Sequence, residues 1–208
     1  MNKTKKKIIL TAVTLFNENS IGNVRNQDIA EKAGVSLSNF NYHFKTKQDL
    51  VYAVCEYMSE VLEETVYGNK VLIMSGQGLE ITRSYFEFEW DFRFFYLDTY
   101  NILQKYPKLK KDVQKRIKEA LQIIKNLNYM AVGKGNMLPE PEDMPGLYND
   151  LAEQIWISNH FLFAQMNLRG IEEDSVEKGL KSVFAILYPY LTEKGRKAYR
   201  TFIGGLKK

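Results

Sequence analysis

Cysteine and histidine are scarce in this 208-residue chain, and their scarcity excludes several kinds of site. The one cysteine, Cys55, cannot form an intrachain disulfide, which fits a cytoplasmic protein in a reducing environment. The two histidines, His43 and His160, form no cluster with metal-ligand spacing, so we expect no bound metal and no other cofactor. His160 falls within an apolar helical pattern, and we interpret it as a hydrogen-bonded core residue.

Motifs for catalysis are absent as well. The sequence has no G-x-S-x-G elbow, no Walker motif and no G-x-G-x-x-G loop. Nothing pairs either histidine with an activated serine or cysteine. We therefore expect that the protein is not an enzyme.

Long apolar runs are missing too, and none approaches the length needed to span a bilayer. The N-terminus starts like a signal peptide, but Asn17, Glu18 and Asn19 end its apolar region without a small-residue cleavage site. We interpret residues 3–19 as an amphipathic helix and expect no contact with a membrane.

The net charge of +4 is confined to the first quarter of the chain. Residues 1–50 hold eight Lys/Arg and four Asp/Glu, whereas the remaining residues hold 21 of each. A local basic excess is expected where phosphates must be neutralised. The Lys5–Lys7 run has two open interpretations, a solvated helix start or a contact with phosphate or the minor groove.

The segment 27–47, QDIAEKAGVSLSNFNYHFKTK, predicts a helix-turn-helix. Gly34 stops the first helix at little cost, and the Ser36 hydroxyl can cap the second. Phe40 and Phe44 fall one turn apart on a buried face. The opposite face is polar, as expected for a helix that enters the major groove of DNA; it carries Ser38, Asn41, Tyr42 and Lys45.

These residues resemble the signature of the TetR family of bacterial helix-turn-helix regulators. The matching pieces are Asp28-Ile29-Ala30, Ala33-Gly34-Val35-Ser36, Tyr42-His43-Phe44-Lys45-Thr46-Lys47 and Leu50. The resemblance covers roughly the first 65 residues. Two positions depart from it: the family often has Gly or Pro where Ser38 stands and an aromatic residue where Asn41 stands.

The resemblance implies a set of DNA-binding residues in this chain. Gln27 would bond adenine bidentately, and Leu37 would either pack on a thymine methyl or join the core with Phe40 and Phe44. Lys47 begins a helix, where a cation is unfavourable to the dipole unless a phosphate takes the charge. The full set is Asn26, Gln27, Leu37, Ser38, Asn39, Asn41, Tyr42, His43 and Lys47, of which Asn26, Asn39, Tyr42, His43 and Lys47 would contact phosphate.

Periodicity predicts an all-α chain of nine or ten helices. Residues 1–50 would form the DNA-binding domain, residues 47–67 a connecting fourth helix, and residues 68–208 an effector-binding and dimerisation domain. Gly133–Gly146 is predicted to form a long, mobile acidic loop. The predicted helices are 3–19, 27–32 capped by Asn26, 37–44, 47–67 capped by Thr46, 79–106, 107–131, 147–168, 172–188, and a last one to about Phe202 capped by Thr192.

Aromatic residues crowd the predicted helix 79–106 and suggest a cavity for a hydrophobic small molecule. The alternative is that they only fill the core. Glu89 lies one turn before Arg93 and should pair with it, while Arg83, Glu87 and Asp91 should form a wet stripe. An inward acid would favour a cationic ligand and an inward arginine a carboxylate; the pattern favours a neutral or weakly charged lipophile. The predicted ligand residues are Tyr85, Phe88, Trp90, Phe92, Phe95, Tyr96 and Tyr100.

The function that the resemblance implies is a ligand-responsive transcriptional regulator. It would bind a near-palindromic DNA operator as a homodimer, paired through helices 147–168 and 172–188, and release it when a hydrophobic effector binds. We expect charges at Leu180 or Phe184 to disrupt the dimer. The alternative is a helical small-molecule-binding or interaction protein that no longer reads DNA.

Overall fold

Helices dominate the parts of the chain that the computed structural model describes, residues 2–68, 77–171 and 175–206. Within these ranges the one β pairing is an isolated antiparallel bridge between Met137 and Leu191, so the prediction of an all-α fold is confirmed. None of the described helices is both long and apolar enough to cross a membrane.

The described residues form twelve α-helices, rather than nine or ten, because two predicted long helices are broken. They are α1 (Lys3–Asn23), α2 (Asn26–Lys32), α3 (Leu37–His43), α4 (Lys47–Leu62), α5 (Gly78–Asp91), α6 (Arg93–Leu97), α7 (Thr99–Lys105), α8 (Leu109–Gly133), α9 (Leu147–His160), α10 (Leu162–Leu168), α11 (Ser175–Leu187) and α12 (Glu193–Leu206). A π-helical turn, Glu63–Tyr67, continues α4, and a 3₁₀ turn, Tyr188–Tyr190, follows α11.

Local signals fold the first three helices as predicted. Gly34 adopts a left-handed φ of 61° after α2, and the Ser36 hydroxyl accepts from the Asn39 amide at 3.2 Å to cap α3. Phe40 and Phe44 are buried with their rings 5.9 Å apart. The cap of α2 differs from the prediction: Arg25 is the cap residue, because its amide donates to Asp28, and Asn26 is the first residue inside the helix.

The first helix runs further than predicted. It continues to Asn23 across a kink at Ser20, which adopts a φ of 62°. Ile8, Ala12 and Phe16 are buried behind the helix-turn-helix, as the apolar spacing predicts.

The fourth helix leads from the helix-turn-helix into the rest of the molecule. Thr46 and Asp49 cap its start reciprocally, with Asp49 N donating to Thr46 Oγ1 at 3.1 Å. Its buried residues include Cys55, whose thiol pKa is raised by burial to about 12. The predicted domain break at Gly68–Gly78 lies mostly outside the described residues, and the domain division at residue 68 stays a prediction.

The predicted aromatic helix 79–106 is three helices. The backbone leaves helical geometry at Phe92 (φ −117°, ψ 30°) and at Asp98 (φ −141°, ψ 29°). At the first break the Asn17 side chain of α1 donates to the Asp91 carbonyl at 2.7 Å and accepts from the Phe94 amide at 3.0 Å. Phe16 packs edge-on against Phe94 beside this bridge. The break is therefore stabilised by a helix more than seventy residues away in sequence.

The predicted mobile loop between α8 and α9 is held by specific contacts. The Glu140 carboxylate accepts from the amides of Gly146 and Tyr148 at the start of α9, at 3.2 and 2.7 Å. Met137 is buried and pairs with Leu191. The acidic residue satisfies amides that the first turn of a helix leaves open, so these contacts restrain the loop that the sequence predicts to be mobile.

The two helices predicted to pair across a dimer also differ from expectation. The predicted helix 147–168 breaks at Phe161, between α9 and α10. The other begins within the described residues at Ser175, since residues 172–174 lie outside them, and ends at Leu187. Leu180 and Phe184 are buried within the protomer, so a charge at either would test folding rather than dimerisation.

Gly179 sets the distance between α5 and α11. A Cβ at this position would lie 2.5 Å from the Phe86 ring, which is fully buried. The two helices therefore approach more closely than any larger residue would allow, and α11 packs against the helix that carries three of the seven predicted ligand residues.

Asn17 should be worth more to stability than its partly exposed position suggests. Asn17→Ala leaves the Asp91 carbonyl and the Phe94 amide without their partner, and we expect the free energy of unfolding to fall by about 1–2 kcal/mol. Urea denaturation followed by circular dichroism measures this change.

Asn19→Ala is the matched control, because the Asn19 side chain reaches only the Leu15 carbonyl of its own helix, at 3.4 Å. It should change stability by less than about 0.5 kcal/mol. Equal losses in the two variants would show that Asn17 does not bridge the helices in solution.

Candidate nucleic-acid interface and ligand cavities

The third helix divides cleanly into a buried face and an exposed face. Phe40 is buried, whereas Leu37 is 45% exposed and Tyr42 is 83% exposed. The core alternative for Leu37 is therefore wrong, because its side chain lies in solvent away from Phe40 and Phe44. Most other predicted DNA-binding side chains share this exposure, namely Gln27, Ser38, Asn39 and Asn41, while His43 and Asn26 are half-buried.

Local hydrogen bonds restrain this surface. The Ser38 hydroxyl lies 3.0 Å from that of the capping Ser36, so it is tied to the start of α3. The Tyr42 ring meets His43 edge-on at 5.2 Å. Asn26 Oδ1 is buried without a hydrogen-bond partner at the start of α2. An exposed apolar side chain between polar ones is the combination that major-groove edges accept.

The ammonium group of Lys47 points into the protein rather than toward solvent. Its Nζ donates to the Val24 carbonyl at 2.6 Å and lies 4.6 Å from the Phe16 ring centre. Burial lowers its pKa to about 8, with Asp28 opposing that shift and Lys105 adding to it. The side chain predicted to hold a phosphate instead joins the chain after α1 to the start of α4. Lys45, two residues earlier, is exposed.

Two neighbouring cavities lie among the helices beyond α4. The larger, of about 220 Å³, is lined by residues of α5, α8, α9 and α11 together with Val66 and Tyr67 of the π-helical turn. The smaller, of about 50 Å³, reaches Met58, Ser59 and Leu62 of α4. The two cavities share four wall residues, which are Tyr67, Tyr85, Ala120 and Trp156. A ligand in one cavity would therefore contact the wall of the other.

Only some of the predicted ligand residues line the cavities. Tyr85 lines both, and Phe88, Phe95 and Tyr96 line the smaller one. Trp90, Phe92 and Tyr100 line neither: Trp90 packs on Phe163, Phe92 packs on Tyr57 and Phe88, and Tyr100 is 73% exposed.

Sequence reasoning missed the walls that other helices provide. Ile124, Leu127 and Asn128 come from α8, Trp156 and Asn159 from α9, and Phe184 from α11. In sequence their spacing is that of ordinary core positions, and nothing distinguishes a residue beside a cavity from one beside another side chain. The basic residues Lys110, Lys111, Lys115 and Lys118 of α8 are exposed, but Arg116 lines the smaller cavity.

The predicted Glu89–Arg93 pair is wrong. Arg93 stacks on the Trp90 ring at 4.6 Å and donates to the Trp90 carbonyl. Glu89 is 0% exposed, and neither of its carboxylate oxygens has a hydrogen-bond partner. Burial raises its pKa well above the usual range, and the Tyr85 hydroxyl opposes that shift only in part. The outer stripe is as predicted, with Arg83 and Glu87 paired at 2.9 Å.

His160 is buried at the edge of the smaller cavity, between aromatic rings. It stacks on Trp156 at 4.8 Å and meets Tyr96 edge-on at 5.3 Å. Burial lowers its pKa to about 4, so the ring is neutral near neutral pH. It belongs to the aromatic wall rather than to a metal site.

Comparison with known protein families shows which family has this architecture. Residues 8–54 match the family described as bacterial regulatory proteins of the tetR family, and residues 73–199 match the TetR family described as bacterial transcriptional repressors. The two matches together span both the helix-turn-helix and the cavity-bearing helices. The chain belongs to the TetR family of DNA-binding transcriptional regulators.

A curated relative and several solved structures agree with this assignment. The helix-turn-helix-type transcriptional regulator YerO of Bacillus subtilis strain 168 is 39% identical over 57 residues, which are 27% of this chain and 20% of that protein. The chain thus spans about a fifth of this relative's length.

The solved structures show the same fold over nearly the whole chain. A TetR-family regulator from Marinobacter aquaeolei VT8 has a TM-score of 0.80 at 22% identity, covering 98% of both chains. CprB from S. coelicolor A3(2) has a TM-score of 0.67 at 16% identity, covering 100% of this chain and 99% of its own. The fatty acid degradation regulator FadR from Bacillus halodurans has a TM-score of 0.66 at 14% identity, covering 90% and 95%.

The inward position of Lys47 predicts the direction in which the stability of the protein changes with pH. Its pKa is about 8 in the folded protein and near 10.5 in an unfolded chain, so between these values the unfolded state binds more protons. The stability of the wild type should therefore rise from pH 8 to pH 10 relative to that of Lys47→Met, which cannot titrate. Parallel urea titrations across this range measure the difference.

Lys45→Met is the control, because this exposed lysine neighbours the same turn. Its stability should follow the wild type at every pH. A constant difference between the wild type and Lys47→Met from pH 8 to 10 would mean that the ammonium is hydrated and does not bind Val24.

Proposed function

We propose that the protein is a repressor that binds a near-palindromic operator as a homodimer and leaves it when a hydrophobic small molecule enters the cavities. The observation that carries the proposal is the course of α4. Its start adjoins the DNA-reading α3, and its far end lines the smaller cavity and continues into the π-helical turn that lines both. One rigid element therefore touches both the reading head and the ligand space.

Two routes connect a bound ligand to the reading head. Displacement of Met58 or Leu62 would move α4 directly, and displacement of α5 or α6 would act on α1 through Asn17. A ligand shifts the protein only if it binds the two arrangements with different affinity. The small cavity beside α4 is the place where such a difference arises, because a ligand that extends into it must push α4 or α5 aside.

DNA reading would use the exposed face of α3 and the start of α2. Gln27 and Leu37 would contact bases, while Ser38 and Asn41 would shape the sequence preference. Asn26, Asn39, Tyr42 and His43 would position the head on phosphates. Lys47 would reach a phosphate only after its ammonium leaves the Val24 carbonyl, so the exposed Lys45 is added to the phosphate set.

Mobility shift against the DNA flanking the protein's own gene tests operator binding. Within the bound site, Gln27→Ala should cost about 1–3 kcal/mol at one base position, because a bidentate contact discriminates there. Lys45→Ala should weaken binding to every sequence and flatten the salt dependence by about one unit of slope.

The two variants check each other. A uniform loss in Gln27→Ala would refute its base-reading role, and an unchanged salt slope in Lys45→Ala would refute the phosphate contact. If no sequence is bound at all by the wild type, the repressor proposal fails and a helical ligand-binding protein becomes the better interpretation.

Dimerisation would use the apolar side chains that α9 and α10 leave in solvent. Ile157 and Phe161 lie one turn apart and are 44% and 50% exposed, and Leu168 lies further along at 87%. Exposed apolar groups in this number mark an interaction surface. One seven-residue recognition helix also makes too few contacts for operator affinity, so two copies are needed.

Phe161→Glu should convert the dimer to a monomer that is still folded, because half of this side chain already lies in solvent. Tyr100→Glu is the control, since it places the same charge at an exposed aromatic side chain of α7. Light scattering at micromolar concentration measures both. A monomeric wild type, or a dimeric Phe161→Glu protein, would defeat this interface.

A further inference from the structure

Glu89 is the most unusual charged side chain in the described part of the molecule. It is fully buried in α5, and neither carboxylate oxygen has a partner in good hydrogen-bond geometry, although the Tyr85 hydroxyl interacts weakly with the group. Burying a carboxyl group without partners is costly, and folding alone would favour an apolar residue at this position. A costly group of this kind is expected where a binding site needs it.

Tyrosines surround this carboxyl group. Tyr85 comes from the same helix, Tyr96 from α6 and Tyr67 from the π-helical turn, and the charge of Glu89 acts on all three. Burial raises the pKa of each tyrosine, so each keeps its proton and can donate a hydrogen bond. All three line the smaller cavity. Glu89 itself lines neither cavity, so its carboxyl group lies behind this aromatic wall.

Two further titratable side chains face the same cluster. His160 of α9 packs on Tyr96 and is neutral near neutral pH. Arg116 of α8 lines the smaller cavity and acts on Tyr67 and Tyr96, and its Nε is buried without a partner. Arg116 as a whole is only half-buried, whereas Glu89 is 0% exposed.

We propose that the effector is a lipophilic organic cation, bound against the faces of these tyrosines and stabilised by the carboxylate of Glu89 behind them. This assignment rests on the proposed function and names the ligand class of its cavities. Aromatic faces attract cations most strongly where water is excluded. The tyrosine hydroxyls can donate to the carboxylate once it is ionised.

The resting and bound states differ by one proton. Without a ligand, burial disfavours the charged form of Glu89 and favours the protonated carboxyl group. An arriving cation favours the carboxylate, and the proton leaves to the buffer. Affinity for a permanently charged cation should therefore increase with pH, by up to about tenfold per unit, until the resting group is itself ionised.

Isothermal titration calorimetry on the full-length wild type tests the proposal without any substitution. Benzyltrimethylammonium is the cationic probe, neopentylbenzene is its neutral isostere, and 3-phenylpropionate is the anionic probe. We expect the cation to bind more tightly than the other two and to release close to one proton, measured by repeating the titration in buffers of different ionisation enthalpy. Tighter binding of the anion would overturn the proposal and assign the site to Arg116 instead.

Glu89→Gln removes the charge but keeps the shape. It should weaken cation binding by at least about tenfold and abolish proton release. Glu87→Gln is the matched control, because this exposed residue lies on the same helix and pairs with Arg83; it should bind the cation like the wild type. Equal cation affinity in Glu89→Gln and the wild type, or a wild type that releases no proton, would refute the role of Glu89.

Operator binding separates this proposal from the proposed function. It is measured by mobility shift on the ligand-free wild type, where the ligand class has no influence. A wild type that shifts operator DNA but prefers the neutral or anionic probe refutes the cation and leaves the regulator intact. A wild type that binds the cation through Glu89 but shifts no DNA supports the site and refutes the repressor.

Discussion

At the break between α5 and α6 the backbone leaves a carbonyl and an amide without helical partners, and a side chain of α1 supplies both. Asn17 donates to the Asp91 carbonyl and accepts from the Phe94 amide, with Phe16 packed on Phe94 beside it. The α5–α6 geometry that presents Tyr85 and Tyr96 to the cavities thus depends on a helix of the DNA-reading part. The helix-turn-helix and the cavity-bearing helices share one hydrophobic core cluster.

The features that sequence predicts well are those decided within a few residues. Ser36, Thr46 and Thr192 cap their helices as predicted, since each hydroxyl accepts an amide three residues ahead. Gly34 ends α2 because glycine accepts a positive φ. The two faces of α3 follow from the spacing of Phe40 and Phe44. The family motif itself predicts no structural feature of this region beyond these caps, this turn and these two helix faces.

The features that sequence misses depend on distant partners. No glycine or proline marks the break at Phe92, because the groups that stabilise it come from Asn17. Glu89 and Arg93 have the spacing of a surface pair, yet α5 ends between them and each turns to different surroundings. Lys47 has the position of a phosphate ligand, but the Val24 carbonyl lies within reach of its ammonium. The cavity walls from α8, α9 and α11 are likewise set by how helices meet.

Cys55 has a practical consequence for testing the proposed dimer and the proposed motion of its reading heads. Because the only thiol of the chain is buried in α4 and burial raises its pKa to about 12, very little of it is thiolate at neutral pH. Maleimide reagents should therefore not react with the native protein. A cysteine introduced at an exposed position of α3 would take a spin label or a dye selectively, and in a symmetric dimer one substitution gives a matched pair of labels. Distances between them would report the separation of the two heads while the native cysteine stays in place.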